Sequence, residues 1–140
     1  MDLRIVPYTH DHVEAVRAFN RRLKGGGSRY QFPESPDPQR YPRTDDANIY
    51  QEYFLALEGE YVRGGYMLRH QEFIINQEER KIAAYQLPLS EASIDSTFRG
   101  IGRKLLEDSL EREPLQMVLG IGGRDQPATG FFRRMGWPVY

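Results

Sequence analysis

The chain has 140 residues with 19 Lys+Arg against 20 Asp+Glu, enough length to bury one hydrophobic core without disulfides or a structural metal. Near-neutral charge excludes a global field that would draw the protein to nucleic acid or an anionic membrane, so any anion site is local. The absence of cysteine excludes disulfide frameworks, thiolate zinc sites and cysteine nucleophiles, and fits a reducing compartment.

Met1 to Pro7 has no apolar run of the length a signal peptide or membrane span needs, so a soluble, cytoplasmic protein with no membrane partner is expected. Leu3 to Tyr8 is short and partly β-branched and predicts a strand. Thr9 then caps a helix whose apolar positions are Val13, Val16, Phe19 and Leu23, with Arg21, Arg22 and Lys24 in the last turn and Gly25-Gly26-Gly27 as the stop. His10-Asp11-His12 falls in the first turn of that helix. With only His70 elsewhere, it predicts no metal site, and Asp11 complements the helix dipole.

Between Ser28 and Asp46, Pro33, Pro36, Pro38 and Pro42 alternate with Tyr30, Phe32 and Tyr41. This is too proline-rich for a helix or an inner strand. A loop of this length in a compact domain is a lid or binding loop where its aromatics face a ligand; packing of Tyr30, Phe32 and Tyr41 onto the core is the simpler expectation. Tyr53–Leu57 and Tyr61–Leu68 flank Glu58-Gly59-Glu60 and predict a hairpin. Gln71 to Ile75 continues the second strand past an expected kink, Arg63-Gly64-Gly65 marks a bulge or close approach, and Lys81 to Leu89 supplies the next strand of a meander. Ile101, Leu105, Leu106 and Leu110 mark one face of a helix that ends before Pro114, and Leu115 to Leu119 reads as a strand. Ala128 to Met135 forms a brief helix closed by Gly136, and Trp137 to Tyr140 begins a last extended segment. The order β-α-loop-β-β-β-α-β-α-β predicts an α+β fold.

At the start of the helix near residue 101, Arg99-Gly100-Ile101-Gly102-Arg103-Lys104 concentrates the features of a diphosphate seat. A helix amino terminus presents unpaired N–H groups and partial positive charge, and glycines remove the Cβ that would hold a phosphate away. Gly100, Ile101 and Gly102 offer amides, while Arg99, Arg103 and Lys104 add full charges. Gly120-Ile121-Gly122-Gly123-Arg124 has no following Lys-Ser/Thr, and Ser90 and Ser109 lack a nucleophile elbow, so nucleotide-fold and serine-hydrolase readings are weak.

The stretch Ile94 to Leu106 resembles the acyl-CoA signature of the Gcn5-related N-acetyltransferases (GNAT), a strand running into an Arg/Gln-x-x-Gly-x-Gly/Ala loop and then an apolar helix. Asp125 to Ala128 and Phe131 to Trp137 are similar to that family's second motif, at the expected distance. With Gly100 and Gly102 as the motif glycines, the Arg/Gln position falls on Thr97; with Arg99 as the motif arginine, the loop is two residues shorter. The tyrosine that often serves the family as general acid corresponds to Phe132, which has no hydroxyl. The family also has a last strand after Trp137, whereas this chain stops at Tyr140. It is therefore read as a single domain, residues 1–140, that is a fragment of a longer protein, a truncated variant, or a protomer taking a strand from a second copy in a homodimer.

The resemblance implies a mixed, mostly antiparallel sheet flanked by helices, and transfer of an acetyl or longer acyl group from CoA to an amine, with no metal. It implies pantetheine along the end of the fourth strand, near Leu87, Leu89 and Ser90, and further cofactor contacts from Asp125 and Phe132. The acceptor, a small molecule or peptide amine, would lie between the proline-rich loop and the meander. Glu91, Glu52 and Glu72 are the candidate general bases. The competing expectations are a degenerate domain that binds acyl-CoA without turnover and a plain interaction domain without CoA affinity.

Overall fold

The computed structural model describes residues 1–119 and 126–138. Strand β1 (Arg4–Pro7) leads to Thr9 and a 3-10 turn over His10–His12, which opens into helix α1 (Val13–Gly25). The cap is reciprocal: the Thr9 N–H donates to His12 Nδ1 at 3.0 Å while the His12 N–H donates to Thr9 O at 3.0 Å. His12 thus does the work of the acidic residue in a capping box. Val16, Phe19 and Leu23 are buried at helical spacing, and the α1 carbonyls at its end are closed off by the N–H groups of Gly26, Gly27 and Ser28.

Strands β2 (Ile49–Glu58), β3 (Tyr61–Ile75) and β4 (Glu78–Ser90) form the antiparallel meander. Helix α2 (Ile101–Arg112) carries the chain back to β5 (Gln116–Met117), which lies parallel to β4, and α3 spans Pro127–Arg134. Among the described residues the strand order is β1-β2-β3-β4-β5, with only the β4–β5 pair parallel. This is the mixed, mostly antiparallel sheet expected. Trp137 and Pro138 form no strand; Val139 and Tyr140 lie outside the described residues.

One local expectation is corrected. No kink separates Leu68 from Gln71: β3 pairs with both neighbours through Arg69 and His70. The irregularity sits earlier, where Gly65 pairs with Leu89 and Met67 with Gln86. Leu87 and Pro88 then face the single Tyr66, and Leu87 takes φ 48° to absorb the extra residue.

The sheet buries a separate core on each face. On one, Tyr66, Leu68, Ala83 and Tyr85 meet Ile101, Leu105 and Leu106 of α2 and Phe132 of α3. On the other, Leu55, Leu57 and Val62 meet Val16, Phe19 and Leu23 of α1 and Phe32 of the long loop. Each such fully buried large side chain contributes about 1.5–3 kcal/mol. Gly64 and Gly65 permit close approach on both sides. A Cβ on Gly64 would stand 3.0 Å from Ile101 Cγ2, and one on Gly65 would stand 2.8 Å from the Phe32 ring.

Candidate functional site

The start of α2 is assembled by short-range chemistry. Asp95 Oδ1 accepts from the Thr97 N–H at 2.9 Å and its hydroxyl at 2.7 Å, closing a 3-10 turn over Ser96–Phe98. These bonds hold the Asp95 carboxyl below its ordinary range. Gly100 then adopts φ 98°, a left-handed conformation natural to glycine, and aims the chain into α2. The first helical bond runs from the Lys104 N–H to Gly100 O at 3.2 Å. Ahead of it, the amides of Ile101, Gly102 and Arg103 have no acceptor among the described residues.

Nothing crowds those amides. A Cβ built on Gly100 or Gly102 meets no atom within 4 Å. Arg99, Arg103 and Lys104 are exposed, with Arg103 Nε donating to Glu107 at 2.7 Å across one helical turn. Ile101 gives only its backbone, since its side chain is fully buried and anchors the helix start. A diphosphate fits this donor set: free N–H groups, aligned dipole, uncovered main chain and three cations.

The neighbouring edge of β4 is open. Its pairing with β5 covers only Ala83 and Ala84, and β4 then runs on to Ser90 with no strand among the described residues on that side. Leu87 and Leu89 are half-buried against the α1-side core, and Ser90 Oγ accepts from the Ala92 N–H at 3.1 Å. Pro88 has no N–H, so Leu87, Leu89 and Ser90 supply the amides of this stretch. Phe132 is buried edge-on to Tyr85, with ring centroids 6.1 Å apart. Asp125, like the glycine-rich stretch before it, lies outside the described residues.

The long loop roofs a compartment on the α1 side of β4. Asn20 clamps Phe32 at both backbone groups, each at 2.8 Å, and Tyr8 donates its hydroxyl to Pro33 O at 2.9 Å. Burial pushes the Tyr8 phenol up to about 12. The far end is fixed where the Gln51 N–H donates to Tyr41 O at 2.8 Å. Of the three loop aromatics only Phe32 enters the core; Tyr30 and Tyr41 are exposed. Between the fixed points lies a cavity of about 710 Å³ whose floor is Gln51, Tyr53, Met67, Arg69, Gln86 and Leu87. It reaches β4 where the β5 pairing has stopped.

The glutamates fall in two places. Glu91 follows β4 directly, but it is buried with its Oε1 held by Arg22 Nε at 2.6 Å and its Oε2 by Arg63 Nη1 at 2.9 Å. Glu52 and Glu72 stand at the other end of the sheet, near the carboxyl end of α2, about 18 Å of helix away from the diphosphate seat. There His70 Nε2 approaches Glu52 Oε1 at 3.0 Å, and its Nδ1 approaches Glu113 Oε1 at 3.2 Å. The contacts are ionic in distance, yet Nε2 is not aligned with an acceptor. The close approach of the His70 ring is the main reason the Glu52 carboxyl sits below its ordinary range, against the opposing effect of burial. A second cavity of about 500 Å³, lined by Tyr50, His70, Glu72 and Glu113 among others, opens here. It is remote from both the α2 start and the free edge of β4.

Arg69 and Gln86, on the floor of the first cavity, belong to no sequence motif. The available signal was an arginine at an inward position of β3, two residues after Met67 on the same face. His10 pairs with Asp37 at 3.0 Å and His12 caps α1; among the described residues no group of three or more His, Asp or Glu could hold a metal. No described helix is long and apolar enough to cross a membrane.

No protein-family model and no curated protein sequence matches the chain. Solved structures do. An aminoglycoside acetyltransferase from an uncultured soil metagenomic sample superposes with TM-score 0.58 at 20% identity, covering 100% of this chain and 94% of that one. A Trypanosoma brucei acetyltransferase gives TM-score 0.61 at 14% identity over 99% and 94% of the two chains. A Bacillus halodurans protein described as a transcriptional regulator gives TM-score 0.61 at 15% identity, again over 99% and 94%. The fold is that of the GNAT-type acetyltransferases.

Proposed function

We propose that this GNAT-fold chain is an N-acyltransferase that takes an acyl group, acetyl in the simplest case, from CoA and passes it to an amine in a cytoplasmic setting. One observation carries the reading: among the described residues, uncluttered, acceptor-free amides at the start of α2 lie beside a β4 edge unpaired beyond Ala84. The first feature suits a diphosphate and the second a pantetheine arm that adds its amides to a strand edge. The exposed charges of Arg99, Arg103 and Lys104 strengthen the seat.

Bound acyl-CoA supplies an activated thioester, whose C–S bond breaks as the amine nitrogen forms the new C–N bond, nitrogen giving up a proton and the thiol taking one. The chain's own contribution is alignment. The α2 amides fix one end of the donor, Leu87 and Leu89 guide the arm, and the cavity under the long loop holds the acceptor against the bend at Leu87. Neither Glu52 nor Glu72 reaches this compartment, and Glu91 is occupied by two guanidinium groups. The ammonium proton therefore leaves through pocket water.

The reading is tested by calorimetry with acetyl-CoA on wild type and Gly102→Glu. The open space at Gly102 admits the new side chain without disturbing the fold, while its charge repels phosphate. Affinity is expected to fall by about 100-fold or more, equivalent to about 2.7 kcal/mol, with an unchanged circular dichroism spectrum. Equal affinity in the two proteins removes the cofactor assignment. Burial of Phe132, with no hydroxyl at that place, favours a second reading in which acyl-CoA binds without turnover. Thiol release over a panel of amines separates the two.

A further inference from the structure

The cavity under the long loop has an electrostatic character that narrows the acceptor. Its floor contains a cation without a counter-ion. Arg69 is half-buried, its Nε is shut off from solvent with no hydrogen-bond acceptor, and no carboxylate among the described residues pairs with its guanidinium. A second unpaired guanidinium, Arg40, stands at the rim. The acids of the same cavity, Glu34 and Asp37, are exposed on its loop side, Glu34 3.8 Å from Arg17 Nε and Asp37 3.0 Å from His10 Nε2. At the floor, Arg69 is thus left as a positive charge in a place partly removed from water. A charge in that situation normally finds a partner.

A complementary group lies on the same face. Gln86 Oε1 is buried with no donor. Arg69 faces Ala84 in the β3–β4 ladder and Met67 faces Gln86, so Arg69 and Gln86 are diagonal neighbours on one side of the sheet. Such positions are about 7–8 Å apart at the backbone, within reach of one small molecule. Gln86 adjoins Leu87, where the free edge of β4 bends; Arg69 lies farther from that edge.

Resting on the acyltransferase reading above, we infer that the acceptor is an amine that also carries a carboxylate, with the carboxylate on the Arg69 guanidinium and the amino group at Gln86 Oε1 beside Leu87. Free amino acids of α or ω type are the smallest members of this class. A polycation is the opposite of what the cavity asks for: it would bring positive charge to two unpaired arginines. Arg69 is a specificity-determining residue here and takes no part in bond making.

The test uses matched pairs, phenylalanine, glutamate and 4-aminobutyrate against their carboxamides, with acetyl-CoA and thiol release as the readout. Wild type is expected to prefer at least one acid over its amide by about tenfold or more in kcat/KM, the size of one charge-assisted hydrogen bond. Arg69→Gln removes that preference, raising KM for the acid more than for the amide, while leaving the calorimetric affinity for acetyl-CoA unchanged. Arg69→Lys restores part of it. Equal use of acid and amide by wild type, an equal loss on both in Arg69→Gln, or faster turnover of the polycation sisomicin than of every acid overturns the inference. If no amine releases thiol, the acyltransferase reading has failed by itself, and the Arg69 Nε–H resonance decides the remaining question. Its shift on titration with 4-aminobutyrate but not with the carboxamide upholds the carboxylate site, and its silence to both overturns it.

Discussion

Glu91 is where a catalytic and a structural role make different numerical demands. Its side chain is 4% exposed and receives three hydrogen bonds, from Arg22 Nε at 2.6 Å, Arg22 Nη2 at 3.4 Å and Arg63 Nη1 at 2.9 Å. Breaking a buried ion pair on one side costs about 3–5 kcal/mol when the surviving charge is stranded. Here the survivors keep other partners: Arg63 retains Glu58 at 3.0 Å, and Arg22 retains Val62 O at 2.6 Å. The cost of Glu91→Gln is therefore expected at or just below the lower end of that range, about 2–3 kcal/mol, which lowers Tm by about 5–10 °C in a chain of this size. Thermal and urea unfolding followed by circular dichroism measure it, and the double variant with Arg22→Gln should lose less than the sum of the two single changes. Folded Glu91→Gln at low temperature should retain acyl transfer within a few-fold of wild type. A Tm that does not move, joined to a loss of turnover of about 100-fold or more, refutes the structural assignment and returns Glu91 to the role of general base.

The remaining predictions concern packing and titration. Gly65→Ala places a Cβ 2.8 Å from Phe32 and 2.9 Å from the Phe54 carbonyl; the ring can shift but the strand cannot, so a loss of about 1–3 kcal/mol is expected in urea unfolding, against no loss in Gly102→Ala. Equal stability of the two variants would contradict the close approach of loop and sheet. For Glu52, a folded pKa held below the ordinary 4.5 by His70 means stability that is present above that value and lost as pH falls through the lower folded value. The difference in Tm between wild type and Glu52→Gln should accordingly shrink as pH is lowered past 4.5, and a gap that widens on acidification would show that the sign is wrong.

The elements that rest on local pattern were legible. Thr9 and the Val13, Val16, Phe19, Leu23 stripe located α1, and Ile101, Leu105 and Leu106 located α2 with its glycine-led start. Apolar-rich segments on either side of Glu58-Gly59-Glu60 located the β2–β3 hairpin. What local pattern does not encode is pairing across the sheet. The bulge opposite Tyr66 is fixed by the register of two strands, so Leu87 with φ 48° gives no sign of itself in the sequence. Glu91 illustrates the same limit: its neighbours in sequence are Ser90 and Ala92, while the groups that occupy its carboxylate, Arg22 and Arg63, are brought in from α1 and β3. Arg69 carries no motif at all. Its meaning comes from the roof that the proline-rich loop places above it, held by Asn20 and Gln51.

The adjacent glycines of β3 face opposite ways, Gly64 toward Ile101 and Gly65 toward Phe32. One peptide unit thus serves as a common gauge for the donor end and the recipient end of the proposed reaction, setting how near each may come to the sheet. Bulk added at Gly64 would press on the Leu89 carbonyl and Ile101, and bulk added at Gly65 on Phe32 and the Phe54 carbonyl. Strain introduced at one of two neighbouring codons would thus be delivered first to one face of the sheet.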